Sequence, residues 1–600
     1  MLDRLWSKSA EGRSGEPPGR RSAWRLATVV AACFAGAAST AILAEAGTFT
    51  SHHGPPVNAR SLGAADTILY NGKITTEDPH NPQVQAIAIR DGDVLATGDN
   101  GQIRSLASHD TQMVDLHGRR VIPGMIDSHI HAIRSGYHCW TQDVRLDLVT
   151  SRSQALQMYA DKAAALPDGK WIFTEFGGWS LQQLDNPTVF TFDELSAAAP
   201  HNPVWVTGGG FAGPIVNQAA LDALGLSAGS PGVELGSDGR PTGRLTGAAS
   251  QAANAAILAQ LDAMSIDDTA KCLSDFVKDA NGSGLTSWVD AIGNTAPWGT
   301  DGSINSSWAD EALEQLYRDG NLHARVAYHE MANAYGPNPL PHEEASLENA
   351  IGFVGDDMVR YLGPGEDMMA TQGQAYVDYP KFSARKRLSV ETHVGGNIDT
   401  ILDGMEQANQ VYPIAKLKWR IAHPDNNLPN QEMRDRAKAL GIGWALTFSA
   451  VRTGRAGPPY RDVMNDNAHM CFGSDAMNVA AWSPFQNLWM VTTGRTLLPG
   501  VAGVPENERL TRAQALEHYT ADCAWFMDQD GRLGQLRPGY HADLAVLTGD
   551  YFSVPEDQIK DLKSVMTLVG GKVVYSDGTL HGDHHGWSAR EARHRSGKRG

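Results

Sequence analysis

Two textures of hydrophobic patterning divide the chain. Between residues 66 and 120, apolar and polar positions alternate in short runs, DTILYNGKITT and AIAIRDGDVLATG. Each run is broken by a turn pair, Asn71-Gly72 in the first and Asp91-Gly92 in the second. Alternation interrupted by Asn-Gly or Asp-Gly predicts β-hairpins, because both turn residues must take positive φ. The same texture returns near the C-terminus in GYHADLAVLTGD and SVMTLVGGKVVYSDG. Segments 66–120 and 527–580 are therefore expected to pair into one small β domain built from both ends of the chain.

Between residues 121 and 526 the pattern changes. Short apolar runs such as LTSWVDA, HARVAYHE, MVRYLG, RLSVETH, WRIAH, IGWALTF and HMCFGSD alternate with helical stretches. That alternation predicts parallel βαβ units and an α/β class. Residues 150–250 hold more chain than one such unit needs, so an insertion is expected there, close to the mouth of the active site.

The N-terminus has a third texture. A basic, polar segment with Arg20-Arg21 precedes an apolar run from Leu26 to Leu43, which ends in Ala44-Glu45-Ala46. This order predicts a signal peptide over residues 1–46, of the twin-arginine type, followed by a linker over 47–65. It implies export to the periplasm or the medium, with no stable membrane association once the signal is cleaved. The run is also near the lower length for a membrane span, and an uncleaved anchor is the alternative. Residues 581–600 are basic and polar and are expected to be a disordered tail, with His581, His584 and His585 in it.

Composition narrows the function. The chain has 600 residues, too many for one compact core. A formal net charge of −18 argues against a nucleic-acid partner and leaves a small-molecule substrate. The five cysteines (Cys33, Cys139, Cys272, Cys471 and Cys523) have no zinc-ribbon spacing, so a metal site must rest on His and carboxylates.

Such residues stand at the ends of the apolar runs. VIPGMIDSHIH carries His129 and His131, and residues i and i+2 of a strand point to one side. In RLSVETH, Ser389, Glu391 and His393 share one face. His423 ends WRIAH, and Asp475 follows Gly473-Ser474 in HMCFGSD. One His-x-His pair alone is as well read as a structural pair, but four strand-end placements in this order are not a coincidence.

With these segments, with DTILYNGKITTED, DLHGRRVIPGMIDSHIH and NQAALDALG, and with the closing LRPGYHADLAVLTGD and VMTLVGGKVVY, the chain resembles the amidohydrolase superfamily, and within it amidohydrolase family 3. The resemblance runs from about Asp66 to Asp577. It implies a (β/α)8 TIM-like barrel with a side β-sandwich and hydrolysis of small-molecule C–N bonds. It also implies a divalent metal held by His129, His131, His393, His423 and Asp475. The metal would lower the pKa of its water to near neutrality. Asp475 would act as general base and then acid, beside His423. Zn²⁺ suits these ligands, with Mn²⁺, Fe²⁺ and Co²⁺ as alternatives.

The chain departs from the family in two places. Many relatives bridge two metals with a carboxylated lysine after strand 4, but no lysine occurs between Lys278 and Lys381. Glu366, in DDMVRYLGPGEDMMA, is the substitute that would bridge a metal on His129, His131 and Asp475 to one on His393 and His423. The alternative is a solvated loop acid and a single ion. Relatives also carry a His before the Asn of an N-[SQ]-x-A-L segment, where this chain has Phe211 and Ala212. Trp179 and Asn217 are candidate pocket residues there, each also readable as packing or turn chemistry. Gly396 stands where aminopyrimidine deaminases carry a Glu, which counts against deamination. Ester, lactone or phosphotriester hydrolysis and a non-catalytic metal-binding module are the competing readings.

Overall fold

The computed structural model describes residues 63–580 apart from 138–143, 147–148, 175–180, 207–213, 292–306, 331–343, 346, 367–374, 395–396, 425–427, 449–450, 452–456, 477–481, 499 and 502. The expected signal peptide, the linker up to residue 62 and the C-terminal tail lie outside the described residues, as do Trp179, Phe211, Ala212 and Gly396.

The two ends of the chain meet in one sheet. Its order is Lys572–Ser576, Ser564–Val569, Leu544–Leu547, Arg120–Pro123, Lys73–Thr75 and Gln83–Val84. The seam is antiparallel, with Val121 opposite Val546. A second sheet pairs Thr67–Tyr70 with Ala86–Arg90 and Gln112–Asp115. Leu69, Ile87, Val114, Leu544, Val546 and Leu568 fill the core around these strands. Asp91-Gly92 makes the expected hairpin between Ala86–Arg90 and Asp93–Gly98, with φ of 53° and 86°. The expected hairpin at Asn71-Gly72 does not form. Thr67–Tyr70 and Lys73–Thr75 lie in different sheets. Asn71 does take positive φ, but the turn carries the chain from one sheet to the other, and a Cβ on Gly72 would stand 2.4 Å from Leu116.

Eight parallel strands form the body that carries the site. We number them β1 (Met125–Ile130), β2 (Leu285–Asp290), β3 (Arg325–Glu330), β4 (Val359–Pro364), β5 (Glu391–His393), β6 (Arg420–Ala422), β7 (Gly443–Leu446) and β8 (Met470–Phe472). β1 to β4 pair in sequence order, and β5 to β8 do the same. Backbone hydrogen bonds join the two sets. Ser389 N–H donates to Leu362 O at 3.1 Å, and Asp475 N–H donates to His129 O at 2.9 Å. Helices Ile266–Gly282, Ile398–Val411 and Gln431–Leu440 bury one apolar face against this body. The inner floor is apolar, formed by Ile126, Val289, Ala327, Leu362, Ala422, Ala445 and Phe526. A disulfide between Cys471 on β8 and Cys523 crosses that floor.

The expected insertion has its own sheet, from Ile172–Thr174 to Pro241–Leu245, and its own core around Tyr159, Phe190, Leu195 and Val206. Asn217 belongs to that packing. Its Oδ1 accepts from Val204 N–H at 2.9 Å and Ala220 N–H at 3.0 Å, and its amide donates to Ala199 O and Asn202 O. Every hydrogen-bonding group of the side chain is used, so Asn217 caps a helix and is no pocket residue.

Candidate metal centre

All six residues singled out from the sequence come together at the C-terminal ends of the parallel strands. His129 and His131 leave β1 with ring centroids 5.3 Å apart. His393 ends β5, and His423 follows β6, with ring centroids 4.3 Å apart. Asp475 follows β8, and Glu366 follows β4.

Close backbone approaches make this convergence possible. A Cβ on Gly473 would lie 2.6 Å from His129 Cβ, and one on Gly365 would lie 2.1 Å from Ala291 O. Only glycine lets β8 close on β1 and lets Glu366 turn inward past the end of β2. Two of the six residues hold left-handed backbone, His423 at φ 55° and Asp475 at φ 59°. Non-glycine residues occupy that region at a cost, and such strain collects at functional sites.

The carboxylate of Glu366 lies between two histidine pairs. Oε1 is 2.8 Å from His423 Nε2 and 3.5 Å from His393 Nε2. Oε2 is 3.5 Å from Nε2 of both His129 and His131. Asp475 Oδ1 lies 3.1 Å from His131 Nε2 and 3.5 Å from His129 Nε2. Three overlapping sets can hold a metal ion: His129, His131 and Glu366; His129, His423 and Asp475; and Glu366, His393 and His423. His393 is the most open of the six, with 27% of its side chain exposed against 5% for Glu366.

The clearest sign of a metal site is one carboxylate oxygen. Glu366 Oε2 is buried and accepts no hydrogen bond among the described residues. His129 Nε2 and His423 Nε2 face each other at 3.1 Å. A buried carboxylate oxygen without a partner is costly unless a cation sits beside it. The donor set therefore fits a divalent ion.

Charge is concentrated here. Burial opposes charge on His129, but Glu366 and Glu391 outweigh it and raise the ring well above its ordinary pKa. His423 is likewise raised to about 9 against its burial, by Asp475 and Glu366. Burial would raise Glu366, yet His129 and His423 hold it well below the usual carboxylate range. Asp475 is lowered in the same way, by His423 and by hydrogen bonds with His129 and His131.

The sequence left a supporting set unassigned. Asp127 Oδ1 accepts from His129 N–H at 3.0 Å, and both its oxygens accept from Ser474 N–H. Burial raises this carboxyl to about 7. Thr447 Oγ1 is 3.2 Å from His423 Nδ1. Glu391 joins none of the metal-capable groups and bonds instead to His129 Nδ1. His329 and Arg420 stand behind it, fully buried. Only Glu391 carried a signal in the sequence, its place on the His393 face of β5.

The model of the amidohydrolase family matches residues 112–575. An N-substituted formamide deformylase of Arthrobacter pascens is 23% identical over 85% of this chain and 98% of its own length. A putative amidohydrolase of Bacillus subtilis is 23% identical over 85% of this chain and 99% of its own. Among solved structures, an uncharacterized metal-dependent hydrolase from Pyrococcus horikoshii superposes with a TM-score of 0.57 at 21% identity, covering 82% of this chain and 99% of its own. Atrazine chlorohydrolase of Arthrobacter aurescens, solved with zinc, gives a TM-score of 0.51 at 14% identity over 88% of this chain and 99% of its own.

Proposed function

Because the chain belongs to the amidohydrolase family, we propose that it is a metal-dependent hydrolase of a C–N, amide-type bond in a small molecule. The eight parallel strands read as a (β/α)8 barrel, with the site at the end where such barrels carry their chemistry. The formamide deformylase among its relatives supports an N-formyl or N-acyl substrate.

The observation that carries the reading is the placement of Glu366, with one oxygen toward His129 and His131 and the other toward His393 and His423. Glu366 would bridge two divalent ions, zinc being the best match to the ligands. Bound there, the metal would polarise the substrate carbonyl and lower the pKa of a water molecule. The protein's own residues do the rest. Asp475, held as a carboxylate by its histidine neighbours, takes the proton of the attacking water and delivers it to the leaving nitrogen. His423, with Nδ1 3.7 Å from Asp475 Oδ2, keeps that carboxylate oriented. Substrate enters past His393, the open edge of the cluster.

Export remains part of the proposal. The Cys471–Cys523 disulfide supports it, because structural disulfides belong to oxidising compartments. A secreted protein whose N-terminus is still Met1 would overturn cleavage after Ala46.

Metal analysis of zinc-reconstituted protein, paired with turnover of N-formyl amines, N-acyl amino acids and aryl esters, tests the site. Two ions per wild-type chain and one per Glu366→Ala chain are expected, with amide turnover lost on chelation. An unchanged stoichiometry in Glu366→Ala would reject the bridge. Turnover of esters alone would reject the C–N assignment.

A further inference from the structure

We propose that Glu391 is the positioning residue for His129, and that it does this from inside the parallel body, without touching the metal. The inference rests on the metal-site reading above.

Glu391 and His393 are two residues apart on β5 and share its inner face. The Glu391 side chain crosses the interior to β1, where Oε1 bonds His129 Nδ1. Both side chains are fully buried. An ionised carboxylate offers only acceptors, so the proton of this bond sits on the ring, on Nδ1. In the neutral ring, Nε2 is then the nitrogen left with the lone pair. Nε2 is the atom that faces Glu366 Oε2 and Asp475 Oδ1, each at 3.5 Å. Fixing the proton on Nδ1 thus selects the tautomer that can bind a metal.

The second oxygen shows why Glu391 stays a carboxylate. Oε2 accepts no hydrogen bond among the described residues, and it faces Arg420 Nε at 3.7 Å. Arg420 is itself fully buried and lies over the Phe526 ring, 5.3 Å from its centre. His329 Nε2 is 3.8 Å away on the same side. A cation on one side and an imidazole N–H on the other divide the two oxygens of Glu391 between charge balance and ring orientation. One strand, β5, therefore supplies both a ligand of its own and the orientation of a ligand on β1.

Two roles must be told apart: orienting His129 or merely neutralising Arg420. Zinc affinity, measured by chelator competition on the full chain, separates them through three variants. Glu391→Leu is expected to lose about 10- to 100-fold in zinc affinity. Arg420→Met, which keeps the bond to His129, is expected to lose much less. The double variant Glu391→Leu/Arg420→Met is expected to regain thermal stability but not affinity. Recovery of affinity in the double variant would assign Glu391 to charge balance alone and overturn the proposal. So would wild-type affinity in Glu391→Leu. A measurement on the unmutated protein guards against a variant that fails to fold. With ¹⁵N-labelled histidine, and the ring assigned through His129→Asn, His129 should be protonated at Nδ1. A ring protonated at Nε2 would overturn the assignment while leaving zinc binding by the other residues intact. Wild-type protein that takes up no zinc would instead overturn the site reading and this one together.

Discussion

Two buried polar layers lie one above the other inside the parallel strands, and each holds histidine and glutamate. The upper layer holds His129, His131, Glu366, His393, His423 and Asp475. The lower holds Glu391, His329 and Arg420. All three lower residues are fully buried, and most of the upper layer is nearly so. Burial does not distinguish them; convergence and the charge on Arg420 do. In the upper layer the donor atoms of each metal-capable set lie within 4.8 Å of one another. In the lower layer the closest approaches around Glu391 Oε2 are 3.7 and 3.8 Å, from a guanidinium and an imidazole, and among the described residues none of the three joins a metal-capable set.

The two fully buried histidines, His129 and His329, make the same point electrostatically. His129 faces Glu366 and Glu391, and its pKa rises well above the ordinary value despite its burial. For His329, burial and then Arg420 hold the ring neutral, and its pKa falls to about 3. The sign of the neighbouring charge decides which way a buried ring moves.

The sharpest way to break this division is at Asp475. If the upper layer carries the chemistry, Asp475→Asn should lower kcat per bound metal by about 10²- to 10⁴-fold, the range of general acid–base catalysis. His329→Gln should change it only a few-fold. Turnover of an N-formyl amine, normalised to zinc content, makes the comparison. Equal losses in both variants would mean that the two layers act as one.

The lower layer should show itself in stability against pH. A histidine held neutral in the fold, with its pKa lowered to about 3, is protonated first in the unfolded chain. Its stabilising contribution is therefore fully present above about pH 6.5 and is lost as pH falls toward about 3. Across that window one such group costs about 1.4 kcal/mol per pH unit. Urea unfolding between pH 6 and pH 4 should show a shallower loss of stability in His329→Gln than in wild type. Parallel pH slopes would mean that His329 is protonated in the folded protein.

The same contrast governs what could be read from the sequence. The upper layer stands at strand ends, and a strand end after an apolar run is a local signal, so five of its members were visible one at a time. Glu366 was visible because the stretch between Lys278 and Lys381 lacks a lysine. In the lower layer only Glu391 shows in the sequence, by sharing a face with His393; it meets His129 across 262 residues, and no local spacing encodes that contact. The Cys471–Cys523 bridge, 52 residues apart, was equally silent. Asn71-Gly72 failed for a related reason. The dipeptide fixes positive φ at Asn71, but not whether the chain folds back on itself or crosses to another sheet. The length of residues 150–250 marks an insertion, and of the two readings open for Asn217, pocket or turn chemistry, its four hydrogen bonds within the insertion select the second.

The smallest expected effect compares how two ligands of the upper layer are held. His129 is oriented by a charged carboxylate, whereas Nδ1 of His423 has a neutral hydroxyl, Thr447 Oγ1, at 3.2 Å. His423 also sits on left-handed backbone beyond the end of β6, so the strand does not fix its ring. Replacing Thr447 with valine removes the hydroxyl at nearly constant volume. One neutral hydrogen bond is worth about 1 kcal/mol, or about fivefold in a binding constant. Asp475 Oδ2 lies 3.7 Å from the same nitrogen and can take part of the role, so the loss should not exceed that figure. Zinc competition on Thr447→Val should therefore show at most about a fivefold weakening, well short of the loss expected for Glu391→Leu. Equal losses in the two variants would mean that a neutral partner orients a ligand as firmly as a buried carboxylate does, and that the charge on Glu391 is not what holds His129.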